Sequence, residues 1–112
     1  MVALDRAKQV AHILDDKKAK DIRVLQIGTL TTIGDYFVVA TGTSTTQVKA
    51  LADEVDRQLS AEGLAPKRIE GYQTASWVLM DYYDVIVHVF LEETREFYSL
   101  ERLWNDAPVV EL

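Results

Sequence analysis

The chain has 112 residues, 48% of them hydrophobic and 27% charged, an ordinary balance for one compact soluble domain. It has no cysteine, which excludes disulfides, a thiolate nucleophile and a thiolate metal site. A net charge of −6 disfavours direct binding to nucleic-acid phosphates and fits a basic partner protein, since opposite charge speeds encounter and excludes wrong partners.

The N-terminus, MVALDRAKQV, carries charge and lacks a signal peptide's apolar segment, and no apolar run approaches the roughly 20 residues of a membrane span. The cytoplasm is the expected compartment. Ala7, Val10, Ala11 and Leu14 recur at helical spacing and predict a first helix over about 3–18, with His12 a partly exposed residue beside the stripe. Arg23 to Ile27 is a short strand rich in branched residues, closed by Gly28, and Leu30 to Ile33 is a connection. Tyr36 to Thr41 is apolar almost throughout, the signature of a central strand buried on both faces.

A second helix is expected from about Thr45 to Glu62, with Val48, Leu51, Ala52, Val55 and Leu59 buried. Ser44 and Gln47 have capping-box spacing, and Gly63 is the expected C-terminal stop. Ala65 to Glu70 reads as a short strand at an edge, where Pro66 is tolerable. Glu92 and Glu93 precede a last helix expected over about 94–104, with Phe97, Leu100, Leu103 and Trp104 inward and a stop at Asn105 to Pro108. The order α-β-β-α-β-β-β-α, without repeats or linkers, predicts a single α/β domain built on a mixed sheet of about five strands flanked by helices.

The chain is organised around Ala75 to Leu91, which reads as a hairpin with a tight turn at Asp81-Tyr82-Tyr83-Asp84. Val78, Met80, Val85, Val87, Val89 and Leu91 share an aliphatic core face. With two central turn residues, Trp77 pairs with His88, Leu79 with Ile86 and Asp81 with Asp84. The second face then carries Trp77, Leu79, Ile86 and His88, ending in carboxylates. Aromatic and aliphatic anchors inside a charged rim suit a protein-binding patch; covering of both faces by helices would instead make Trp77 ordinary core.

Catalytic readings find little support. Gly42 to Thr46 leads from a strand into a helix but has neither G-x-x-x-x-G-K-[ST] nor G-x-G-x-x-G, so a capping turn is favoured over a phosphate loop. Two histidines, His12 and His88, are too few for a zinc site without carboxylates from distant elements. Asp35, Glu70, Asp81 and Asp84 could flank magnesium, but no D-x-D pair is present to hold two metals. Ser44, Ser60, Ser76 and Ser99 lack a G-x-S-x-G context. No catalytic residue, metal or cofactor is expected.

Several blocks, in order, are similar to the Iojap or ribosomal silencing factor (RsfS) family: Lys17-Lys18-Ala19 with Asp21-Ile22, Asp35 to Ser44, Gln47 to Ala50, Glu70-Gly71, Trp77 to Tyr82, Asp84 to Phe90, and Arg95 to Trp104. They span nearly the whole chain. The resemblance implies a domain shaped like a nucleotidyltransferase without its catalytic acids. It further implies binding to the large ribosomal subunit through its L-fourteen protein, where the small subunit would dock, so that translation falls when nutrients are scarce. A link with large-subunit maturation and a homodimeric free state are also implied. Combined with strand geometry, the expected partner surface is Trp77, Leu79, Ile86 and His88 with an acidic rim of Glu70, Asp81 and Asp84. Competing readings are a magnesium-dependent nucleotidyltransferase and a scaffold that only self-associates.

Two positions depart from the family pattern: Gln26 replaces an aspartate, and Tyr83 replaces a glycine. A two-residue hairpin turn wants φ > 0, which glycine accepts and tyrosine resists. Either the turn is wider here or Tyr83 is strained.

Overall fold

A computed structural model describes residues 2–27, 35–94 and 109–110. The elements are α1 (Val2–Asp16), β1 (Lys20–Gln26), β2 (Tyr36–Gly42), α2 (Thr45–Ala61), β3 (Arg68–Glu70), β4 (Trp77–Tyr82) and β5 (Val85–Leu91). Residues 92–94 are helical, so Glu92 and Glu93 lie within the helix start rather than before an expected start near 94. The remainder of that helix with its inward residues Phe97, Leu100, Leu103 and Trp104, its stop at Asn105 to Pro108, and the connection from Gly28 through Leu30 to Ile33 lie outside the described residues.

The strands form one mixed sheet in the order β1-β2-β5-β4-β3. β2 and β5 run parallel; the other neighbours are antiparallel. All seven β2 residues are buried, as continuous apolarity predicts for a strand flanked on both sides and covered on both faces. β1 is an edge strand, and residues 109–110 run along its outer side, where Leu25 bridges Val109 and the Val110 N–H donates to the Val24 carbonyl.

The main core lies between one sheet face and the two helices. α1 contributes Ala7, Val10, Ala11 and Leu14; α2 contributes Val48, Leu51, Ala52, Val55 and Leu59; the sheet contributes Val38, Ala40, Val78, Met80, Val87 and Val89. Each fully buried large aliphatic side chain is worth about 1.5–3 kcal/mol. Gly42 lets α2 start close to β2, since a Cβ there would lie 2.8 Å from Val48 Cγ2.

The α2 ends follow the residues that mark them. Ser44 is extended, and its Oγ accepts from the Gln47 N–H at 3.1 Å. The reciprocal half of the expected box goes to a neighbour: Gln47 Oε1 accepts from the Thr43 N–H at 2.7 Å and the Thr43 hydroxyl at 2.9 Å. At the C-terminus Gly63 has φ +85; its N–H donates to Ser60 and that of Leu64 to Leu59, which together make a Schellman motif.

The hairpin register differs from the expected pairing. Trp77 pairs with Phe90, Leu79 with His88, Asp81 with Ile86 and Tyr82 with Val85. The two central turn residues are therefore Tyr83 and Asp84. Relative to the expectation the strands are displaced by two residues, and two is the period of side-chain alternation, so each residue keeps its expected face. The observed pairing brings Tyr82, 3% exposed, onto the core face beside Val85, whereas the expected one left it in the turn. The turn is tied down from outside the hairpin, where the Asp84 carbonyl accepts from the N–H groups of Asp35 and Tyr36. Tyr83 has φ +71, so the turn is tight and its first central residue is strained.

Candidate functional site

The face opposite α1 and α2 carries a second, smaller apolar cluster: Leu25, Ile27, Phe37, Val39, Ile86 and Phe90, with Trp77 and Leu79 packed at its margin. β3 and β4 place Glu70 directly opposite Leu79 and Arg68 opposite Asp81. An open groove of about 290 Å³ results, lined by Glu70, Gly71, Trp77 and Leu79. Trp77 and Leu79 are half-buried, the only large apolar side chains at this margin that belong both to the cluster and to the groove among the described residues.

Trp77 is held from behind. Its ring stacks on Phe90, centroids 4.9 Å apart at 29°, and its Nε1–H donates to His88 Nδ1 at 3.0 Å. His88 meets Phe37 edge-on at 4.6 Å and lies nearly parallel to Phe90 at 6.2 Å. The indole nitrogen can only donate, so Nδ1 must be bare and the imidazole hydrogen sits on Nε2. Burial pushes the His88 pKa down to about 4, because a charged ring would be desolvated there.

Gly71 shapes the groove floor. It has φ +78, and a Cβ would lie 2.1 Å from the Trp77 carbonyl oxygen. The same loop closes through the Ala75 N–H, which donates to the Gly71 carbonyl at 3.0 Å, and is joined to β5 where the Leu91 N–H donates to Ser76. From outside, Tyr72 anchors the loop to α2: its hydroxyl donates to Asp53, and Lys49 stands 5.5 Å from its ring centroid.

Of the residues expected on the surface, the structure brings Trp77, Leu79 and Glu70 together at the groove. Ile86 and His88, each 3% exposed, lie beneath it and support Trp77. Asp81 turns inward at 8% exposure: one oxygen accepts from the Tyr83 N–H at 2.8 Å, and the other is 3.7 Å from Arg68 Nε. The acidic rim is thus narrower than expected, with Arg68 also 3.5 Å from Glu70. Asp84 is exposed in the turn and lines a different cavity, of about 160 Å³, with Ala3, Arg6, Leu64, Tyr82, Tyr83 and Val85. Gly71, Phe90 and Arg68 also shape the site, though the predicted patch did not include them. The glycine after Glu70, at the mouth of a hairpin, was the available signal for the first; the other two depend on register and strand pairing.

For the catalytic alternatives, the amide and hydroxyl of Thr43 at the strand–helix turn are both engaged by Gln47. Among the described residues there is no group of three or more His, Cys, Asp or Glu placed to hold a metal, and no helix long and apolar enough to cross a membrane. What this site offers chemically is an apolar contact with one carboxylate at its margin.

The family model described as ribosomal silencing factor during starvation matches residues 2–112. A ribosomal silencing factor from Halalkalibacterium halodurans is 46% identical over 101 residues, covering 90% of this chain and 86% of its own. One from Bacillus subtilis is 43% identical over 105 residues, covering 94% and 89%. A crystal structure of a protein from Chromobacterium violaceum superposes with a TM-score of 0.90 at 40% identity, covering 94% of this chain and 88% of that one.

Proposed function

This chain belongs to the ribosomal silencing factor family, and from that premise we propose that it binds the large ribosomal subunit through the L-fourteen protein and blocks subunit joining by occupying the docking surface. Inhibition on this reading is steric and needs neither cofactor nor bond chemistry. It lowers translation during starvation, in keeping with the description of the family. The protein works in the cytoplasm, forms a homodimer when free, and exchanges its second copy for the ribosome.

The observation that carries the reading is the groove of Glu70, Gly71, Trp77 and Leu79. A half-buried tryptophan already stacked and hydrogen-bonded from behind loses little side-chain freedom on binding, which is what an anchor requires. Glu70 at the margin and the net charge of −6 favour a basic partner surface.

The experiment is sedimentation of purified large subunits with and without the protein, followed by addition of small subunits. The protein is expected to travel with large subunits and to suppress whole ribosomes, and Trp77→Ala to weaken that binding by about 2 kcal/mol or more. Protein that stays at the top of the gradient while ribosomes form normally would overturn the proposal. A variant that loses folding stability but keeps its affinity would move the docking surface away from Trp77.

A further inference from the structure

Two buried side-chain polar atoms among the described residues have no hydrogen-bond partner: the Tyr82 hydroxyl and His88 Nε2. The second is informative, because the other nitrogen of that ring is committed to Trp77. An imidazole here strands one N–H in an apolar cluster; a phenylalanine would fill similar space without that penalty. Packing therefore gives no reason for histidine, whereas a hydrogen-bond acceptor behind the indole does.

We propose that His88 is a positioning residue for partner binding: it never touches the partner, but its bare Nδ1 turns the Trp77 N–H inward and fixes the indole in the orientation that the groove presents. The proposal rests on the reading of the Trp77 groove as the docking site and assigns the buried residue behind it. Trp77 is half-buried, and its indole hydrogen, if turned outward, would seek water or a partner acceptor. Facing inward among Phe37, Ile86 and Phe90, it meets side chains that cannot accept; His88 supplies the acceptor. Phe37 at 63° and Phe90 at 12° hold the imidazole plane, so the acceptor is directional. With the N–H satisfied inside, a partner sees apolar ring surface and need not offer an acceptor. Burial keeps the ring neutral through the physiological range, so the clamp stays closed there.

The test compares His88→Phe, which deletes the acceptor, with His88→Asn, whose amide oxygen takes the place of Nδ1. Nitrogen-15 spectra give the solvent exchange of the Trp77 indole hydrogen, identified as the signal lost in Trp77→Phe, and sedimentation with large subunits gives affinity. The expected result is a protected indole hydrogen in the wild type. In His88→Phe its exchange speeds up and affinity falls, each about tenfold, at unchanged fold; in His88→Asn both are restored. A structural role alone would not be rescued by asparagine in the indole signal.

If Trp77→Ala abolishes binding while His88→Phe binds as the wild type does, the positioning role falls and the docking site stands. If Trp77→Ala binds normally, the docking site falls and this proposal falls with it. An indole hydrogen that exchanges freely in the wild type overturns the proposal without any variant, which covers the case in which His88→Phe does not fold.

Discussion

Acidification from pH 7 to pH 5 should destabilise this protein through His88. Its folded-state pKa is about 4, below the ordinary 6.5, because burial penalises the charged ring. The unfolded chain therefore takes up the proton first, and stability present above the unfolded value drains away as pH falls towards the folded one. At pH 5 the unfolded ring is almost wholly charged and the folded ring almost wholly neutral, which costs about 2 kcal/mol relative to pH 7. A folded pKa one unit higher would change that figure only by a few tenths of a kcal/mol, since the unfolded ring dominates the balance. The assay is urea unfolding of the wild type and His88→Asn at both pH values. Every other ionisable group is common to the two proteins. Stopping at pH 5 also leaves out most of the effect of Glu54, whose pKa is held at about 2 chiefly by its hydrogen bond from Arg57, then by one from Gln58; its contribution drains away as pH falls from the ordinary carboxylate value of 4.5 towards that one. The wild type should lose about 2 kcal/mol more than the variant between the two conditions. Equal losses would refute the buried neutral imidazole and, with it, the acceptor behind Trp77.

Three further outcomes test the surrounding architecture. Gly71→Ala combines a left-handed backbone with a Cβ 2.1 Å from the Trp77 carbonyl oxygen, and should cost about 2–4 kcal/mol in urea unfolding; a loss under half a kcal/mol would mean the loop relaxes freely. Tyr83→Gly relieves the positive φ at an exposed turn residue and should stabilise the fold by about 0.5–1 kcal/mol, read as a melting temperature a few degrees higher. Ser44→Ala removes the side-chain acceptor for the Gln47 N–H and should cost about 1 kcal/mol, measured by the denaturant midpoint.

Much of the fold was legible because local chemistry dictates it. The five apolar positions of α2, the Ser44 cap and the Gly63 stop all appear as predicted, since each depends on neighbours within a turn or two. β2 announced its central place by apolarity on both faces. The candidate site was half legible. Trp77 and Leu79 fell on the predicted face because alternation has a period of two, and a register displaced by two residues leaves it unchanged.

What periodicity could not decide was which residue lies opposite which, and how deep each one sits. Those answers come from groups far apart in the chain: the Asp84 carbonyl bound to the amides of Asp35 and Tyr36, Tyr82 buried on the helix side, Phe90 stacked on Trp77 and Phe37 set against His88. They turned His88 from an expected surface residue into a buried acceptor, moved Asp81 from the turn into β4 with its carboxylate on the Tyr83 N–H, and left Asp84 at another cavity. The amino-acid sequence by itself determined the elements, their faces and the family, because propensity, capping and alternation are local. Only the tertiary structure decided register, burial and the ionisation of His88, because desolvation and cross-strand packing exist only once distant segments meet.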